Sequence, residues 1–175
     1  MIENKIVKLR AVEPRDIDLL YQWENNTEIW VVSNTLTPFS RYQLEKYVKH
    51  AHLDIYQTKQ LRLMIEWFDG EKWLTAGMVD LFDYEVFHQR AGIGIMVHQD
   101  YRQKGVAGEA LKLFCDYCFD YLGLHQLYCS IMADNLASLL LFKNAGFQQI
   151  GVKKDWIKTP SGYMDELLFQ LLNSK

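Results

Sequence analysis

Cysteine is scarce in this chain of 175 residues: Cys115, Cys118 and Cys129 are the only three. They offer no disulfide framework and point to a reducing cytoplasm. Cys115 and Cys118 form a C-x-x-C, but inside a helical run and not at a helix N-terminus, where a thiolate would be stabilised. They read as core packing. Long apolar runs are missing too, since none approaches the ~20 residues of a membrane span, and MIENKIVKLR lacks the apolar stretch of a signal peptide. Cationic charge is not in surplus. Lys plus Arg number 19 against 22 Asp plus Glu, a net charge of −3, which argues against general nucleic-acid binding. Repeats, linkers and low-complexity segments are absent, so residues 1–175 read as one domain. The two common phosphate loops also fail: neither G-x-x-x-x-G-K-S/T nor G-x-G-x-x-G occurs, because Gly92 and Gly94 fall inside a strand pattern.

What is present is an ordinary globular balance, 49% apolar and 23% charged. Alternation predicts strands over NKIVKLRAV (4–12), LRLMIEWF (61–68), WLTAGMVDLF (73–82), RAGIGIMV (90–97) and LYCSI (127–131). Asp69-Gly70 marks a tight turn between the second and third of these. Two closing strands, GFQQIGVKKDWI and YMDELLFQLL, flank a TPSG turn. Helical spacing follows Pro14 through Ile17, Leu20, Tyr21 and Glu24, and again through Leu44, Tyr47, Val48 and Ala51, where Ser40 and Gln43 fit a capping box. The stretch 28–40 reads as irregular. A long helix to about Leu122 turns Ala107, Ala110, Leu111, Phe114, Cys118 and Tyr121 to the core, and a last one, Asn135 to Ala145, is stopped by Gly146. This is a mixed α/β chain with strands before and after two crossover helices.

DYRQKGVAGEAL (100–111) opens the long helix with Arg102 and Lys104, although a helix start carries positive partial charge and prefers acids or hydroxyls. A glycine-containing turn from strand to helix leaves several N–H groups pointing outward, a cradle for phosphate, with the cations as counter-charges. A plain turn with solvated cations would read the same. The residues spell R-x-x-G-x-A from Arg102 to Ala107. Some thirty residues on comes a second pattern, N-x-x-S-x-x-x-F-x-x-x-G-F, from Asn135 through Ser138 and Phe142 to Phe147. The pair resembles the GNAT N-acetyltransferase family, and KLRAVEPRD and GFQQIG share its look. Within it the chain is most similar to the spermidine and ribosomal-protein branches.

The resemblance implies an α/β (α+β) fold with a mostly antiparallel mixed sheet, splayed around Met96 and Val97 and flanked by about four helices. It implies acetyl-CoA as donor, with no metal. Gln103, Lys104, Gly105, Val106, Ala107 and Gly108 would take the pyrophosphate beside Arg102. Ile95, Met96 and Val97 would pair with the pantetheine arm, and Asn135, Ser138 and Phe142 would meet the cofactor, with Lys143 near an outer phosphate. The reaction would be direct attack of a primary amine, small molecule or peptide N-terminus, on the thioester, the oxyanion taken by a backbone N–H around Met96 or Val97. A base is needed because an alkylamine is protonated at neutral pH. Two departures stand out. Many relatives have tyrosine where Phe142 stands, leaving water, Ser138 or Tyr128 to protonate the thiolate. The polyamine branch has a carboxylate where this chain has Gly92, and Gly92 with Gly94 opens one face to a bulky acceptor or to a neighbouring side chain. Asp80, an acid in an apolar strand, is the expected base or acceptor ligand, with Asp83 second. Glu28, Asp155, Asp165 and Glu166 offer charge for a cationic acceptor or are surface acids. His98 is a proton shuttle or a strand cap. His50 and His52 point apart and make no metal pair. A homodimer is compatible with the aromatic content. Alternatives are an acyl-CoA sensor that has lost its chemistry, or an interaction domain.

Overall fold

The computed structural model describes residues 2–33, 35–51 and 53–174, with the backbone alone for Val32. His52, read above with His50, lies outside the described residues. The first predicted strand is observed over a shorter span, and an unpredicted strand precedes it: β1 (Ile2–Glu3) turns back on β2 (Val7–Ala11). Asn4 makes the turn, its side-chain oxygen accepting the N–H groups of Ile6 and Val7. A 3-10 turn at Pro14–Asp16 leads into α1 (Ile17–Glu24). The segment read as irregular contains a single helical turn, α2 (Trp30–Ser33). The capping box forms as the sequence predicts: the Ser40 hydroxyl accepts from Gln43 N–H, and the Gln43 side chain accepts from Ser40 N–H. It starts α3 (Arg41–His50), after which comes one more short turn, α4 (Ile55–Thr58).

Strands β3 (Leu61–Phe68), β4 (Trp73–Glu85) and β5 (Arg90–Val97) form an antiparallel meander with β2. Then come α5 (Val106–Asp116), β6 (Gln126–Met132), α6 (Leu136–Asn144), β7 (Gln148–Thr159) and β8 (Gly162–Leu172). The sheet order is β1-β2-β3-β4-β5-β6-β8-β7. Every pairing is antiparallel except β5 with β6, whose parallel registration requires the crossover that α5 supplies. The fold is thus the predicted mixed, mostly antiparallel sheet, with four helices of eight or more residues among the described ones.

Period-2 alternation sorts the side chains of the central strands. One face packs on α5 and α6 through Val79, Leu81, Ile93, Leu127, Phe114 and Phe169. The other packs on α1 and α3 through Met64, Met78, Leu20, Trp23, Leu44 and Val48. Each fully buried side chain of this size contributes about 1.5–3 kcal/mol. Tyr121 corrects the helical reading. It is 80% exposed, because residues 117–121 form a π turn, with Leu122 N–H reaching back five residues to the Tyr117 carbonyl. The wider turn carries position 121 off the core-facing stripe. Tyr121 stacks instead on Tyr117, ring centroids 5.4 Å apart.

A polar lock joins the first turn to the sheet. Arg10 donates through both terminal nitrogens to Asp16, at 2.7 and 2.8 Å, and through Nε to Glu66 at 2.7 Å. Asp16 also accepts Glu13 N–H at 2.8 Å. Burial alone would raise the Asp16 carboxyl, but Arg10, the Glu13 N–H and the charge of Arg15 hold it below its ordinary value.

Candidate active site

The sheet forks at its centre. β5 and β6 pair over three positions only, Arg90 with Gln126, Ala91 with Leu127 and Gly92 with Tyr128. Beyond Gly92, β5 stays with β4 out to Val97, while β6 follows β8 out to Met132. Among the described residues no strand lies between the two edges that face each other across the opening, a geometry suited to an extended ligand that bonds to both.

The loop at the mouth of the fork is held open by backbone geometry. Gln103 and Gly105 both take positive φ, +60° and +77°, and Gly105 forms the N-cap of α5. The first helical bond runs from Glu109 N–H to the Gly105 carbonyl, which leaves the N–H groups of Val106, Ala107 and Gly108 without a helical acceptor. A Cβ built on Gly105 or Gly108 meets nothing within 4 Å, so a ligand can approach the backbone there. The cations of this loop rest on neutral partners. Arg102 Nε donates to the Val97 carbonyl at 3.1 Å, and the Lys104 ammonium lies 5.0 Å from the Trp67 ring and 5.7 Å from the Tyr101 ring. Between α5 and α6 runs a cleft of about 440 Å³, lined by Gly108, Lys112, Cys115, Phe119, Leu141 and Asn144. Burial raises the Cys115 thiol to about 12, an inert group.

The second motif spans the start and the body of α6. Asn135 precedes α6 as its N-cap, its side-chain oxygen accepting Ser138 N–H at 3.1 Å. Ser138 is half-buried in the first turn and Lys143 is exposed in the last. Phe142 is 4% exposed and packs edge-on to Phe147, 5.0 Å between centroids. Its ring is a core member.

On the α1/α3 side of the fork stands a charged cluster that the sequence does not announce. Arg62 on β3 grips Asp80 on β4 through Nε at 2.6 Å and a terminal nitrogen at 3.1 Å, and its other terminal nitrogen donates to Glu24 of α1. The guanidinium lies over the Tyr47 ring, 5.5 Å to the centroid. Burial works against the Arg62 charge, but Asp80 and Glu24 more than offset it and raise its proton affinity above the ordinary value. Neighbouring Phe82 decides between the two expectations for the face that Gly92 and Gly94 leave open. A Cβ on Gly92 would lie 2.2 Å from the Phe82 ring, and one on Gly94 3.9 Å from it. The glycines make room for a neighbouring aromatic ring. Phe82 meets Tyr128 at 6.2 Å in a T arrangement, and Tyr128 donates its hydroxyl to Asp83 at 3.3 Å. Burial and then the Asp83 charge raise the Tyr128 hydroxyl, so it keeps its proton at neutral pH.

The other acids divide. Glu166 is buried and paired with Lys153 at 2.7 Å. Asp165 takes Lys154 at 2.6 Å and Asp155 N–H at 3.0 Å. Glu28 is exposed. His98 accepts Asp100 N–H at 3.5 Å at the strand end and stacks on Trp23, as a cap does. Arg62, Glu24, Tyr47 and Phe82 are the residues that sequence reading missed. An arginine at the second position of a strand run whose one other charge is Glu66 was the available signal.

The family model described as an acetyltransferase (GNAT) domain matches residues 7–148. The chain belongs to the GNAT acetyltransferase family. This GNAT chain is 31% identical over 150 residues to spermidine N(1)-acetyltransferase of Escherichia coli, across 83% of its own length and 74% of that protein's. Its fold matches spermidine N-acetyltransferase from Vibrio cholerae in complex with CoA and spermine, with a TM-score of 0.87, 25% identity and 98% of each chain covered. A dodecameric structure of spermidine N-acetyltransferase from Vibrio cholerae matches with a TM-score of 0.81, at 25% identity over 98% of this chain and 96% of that one. The GNAT enzyme is an N-acetyltransferase, in keeping with these relatives.

Proposed function

We propose that this enzyme transfers an acetyl group from acetyl-CoA to a primary amine of a small, cationic polyamine or diamine. The observation that carries the reading is the fork itself, with two unpaired strand edges leading to a helix start whose glycines leave the backbone bare. Those residues fit the donor. The N–H groups of Val106, Ala107 and Gly108 would take the pyrophosphate, with Arg102 and Lys104 alongside, and the edges of Ile95 to Val97 and of β6 would flank the pantetheine arm. Acetyl-CoA supplies the activated acyl group.

The chain's own residues then have separable tasks. Val97 N–H, at the free edge of β5, donates to the acyl oxygen as negative charge builds there. Asp80 is fixed by Arg62, and both its oxygens already accept a hydrogen bond. In the expected alternative of base or acceptor ligand, that fixing favours the ligand: a carboxylate at the fork that orients the acceptor's ammonium. Glu24 and Asp80 against one Arg62 leave this cluster a negative charge to spare, the sign a polyamine requires. Phe82 and Tyr128 offer flat apolar surface for the alkyl chain. Ser138 and Tyr128 are the hydroxyls, besides water, that we assign to protonation of the leaving thiolate.

The test is release of free thiol from acetyl-CoA across a panel of diamines, polyamines, amino-sugars and short peptides. The expected result is release with the polyamines and diamines and little with the peptides. Tight binding of acetyl-CoA with no release across the panel would overturn the reading in favour of a sensor. Likeness to a dodecameric relative also leads us to expect an assembly larger than a monomer, checked by light scattering.

A further inference from the structure

Gly77 sits on β4 opposite Val97, in a strand whose neighbours Ala76, Met78 and Val79 are buried. A Cβ built there would lie 2.1 Å from the Met96 carbonyl oxygen, 3.0 Å from Val97 Cα and 3.1 Å from the Met96 carbonyl carbon. All three atoms are backbone. In a sheet a Cβ projects out of the plane, not toward the neighbouring strand's carbonyl. The Met96–Val97 peptide therefore rides over the Gly77 α-carbon.

A trans peptide holds its C=O and N–H on opposite sides. With the Met96 carbonyl turned onto β4, Val97 N–H is turned to the other edge of β5, where β6 has already diverged. Two further bonds fix the segment in that pose. Arg102 Nε holds the Val97 carbonyl at 3.1 Å, and His98 N–H returns to the Ala76 carbonyl at 2.9 Å. No rotamer change can relieve a clash with backbone, so a side chain at 77 must displace β5 or break these anchors.

We infer that Gly77 is a positioning residue: its missing side chain is what lets the Met96–Val97 peptide turn its N–H into the fork. The inference rests on the reading above that Val97 N–H donates to the acyl oxygen.

The experiment compares wild type with Gly77→Ala in thiol release and in calorimetric titration with CoA and with acetyl-CoA. Misplacing one oxyanion donor lowers kcat about 10²- to 10³-fold, and that is the expected loss; CoA affinity, which shares Arg102 and the β5 edge, should fall by about tenfold at most. Any preference of wild type for acetyl-CoA over CoA should vanish in the variant, a readout that needs no turnover. An unchanged kcat in folded Gly77→Ala would overturn the inference while leaving the acetyltransferase reading intact. Wild type that binds neither ligand would sink that reading instead. Should Gly77→Ala fail to fold, hydrogen exchange of wild type decides. The Val97 amide should exchange freely alone and with CoA and become protected with acetyl-CoA; equal protection in all three states would refute the proposal.

Discussion

Arg62 shows how much one side chain holds in place here. Its guanidinium is shared by Glu24 and Asp80, two acids contributed by a helix and a strand. Arg62→Leu leaves both carboxylates without their counter-charge; a fully buried pair broken in this way costs about 3–5 kcal/mol, and this part-buried one costs less. The expected result is a fall in the urea midpoint with m unchanged. Asp80→Asn keeps the shape and removes the charge. On the acceptor-ligand role it should raise the diamine KM about tenfold while kcat stays within about threefold. A fall in kcat at unchanged KM would make Asp80 the proton acceptor instead, so the KM-against-kcat split decides between its two expected roles.

At the scale of elements, the helix start of α5 separates stability from binding. Gly108 is helical, and a Cβ there touches nothing, so Gly108→Ala gains about 1 kcal/mol of helix propensity and raises Tm. The same methyl occupies the space in front of the bare N–H groups, and CoA affinity in calorimetry should fall. Gly105 has φ +77°, and Gly105→Ala pays about 1–2 kcal/mol for the left-handed conformation, lowering Tm and affinity together. Elements were legible wherever their cause is local. Ser40 and Gln43 announce their capping box within four residues, Gly146 stops α6 at φ +91°, and Thr159–Gly162 turns β7 into β8. They were not legible where the cause is distant. Gly92 has its reason in a Phe82 ring on another strand, Arg62 has partners 18 and 38 positions away, and Tyr121 leaves the core because a π turn shifts a period that the sequence counts as constant.

Across the whole molecule, acid should act through Asp16. Its carboxyl is held below its unfolded value of about 3.9 by Arg10 and the Glu13 N–H, against the opposing effect of burial. The folded state thus binds this proton less readily than the unfolded chain does. The corresponding stability is complete above about pH 5 and is lost as pH falls below about 4. Asp16→Asn should lower stability at neutral pH and flatten that acid slope, measured as urea midpoints between pH 7 and pH 3.

The fork also divides the molecule along its sequence. Strands β1 to β5 and strands β6 to β8 are two antiparallel ribbons, each contiguous in the chain, joined by three residue pairs, the helix that crosses between them and the side-chain core they share beneath it. So short a seam is weak beside the long ladders on either side of it. In native-state hydrogen exchange the two ribbons should open as separate cooperative units, the later one exchanging without unfolding the earlier. A ligand bonded to both edges would join them into one. Its binding should then be visible as the merging of two exchange free energies, far from any atom that it touches.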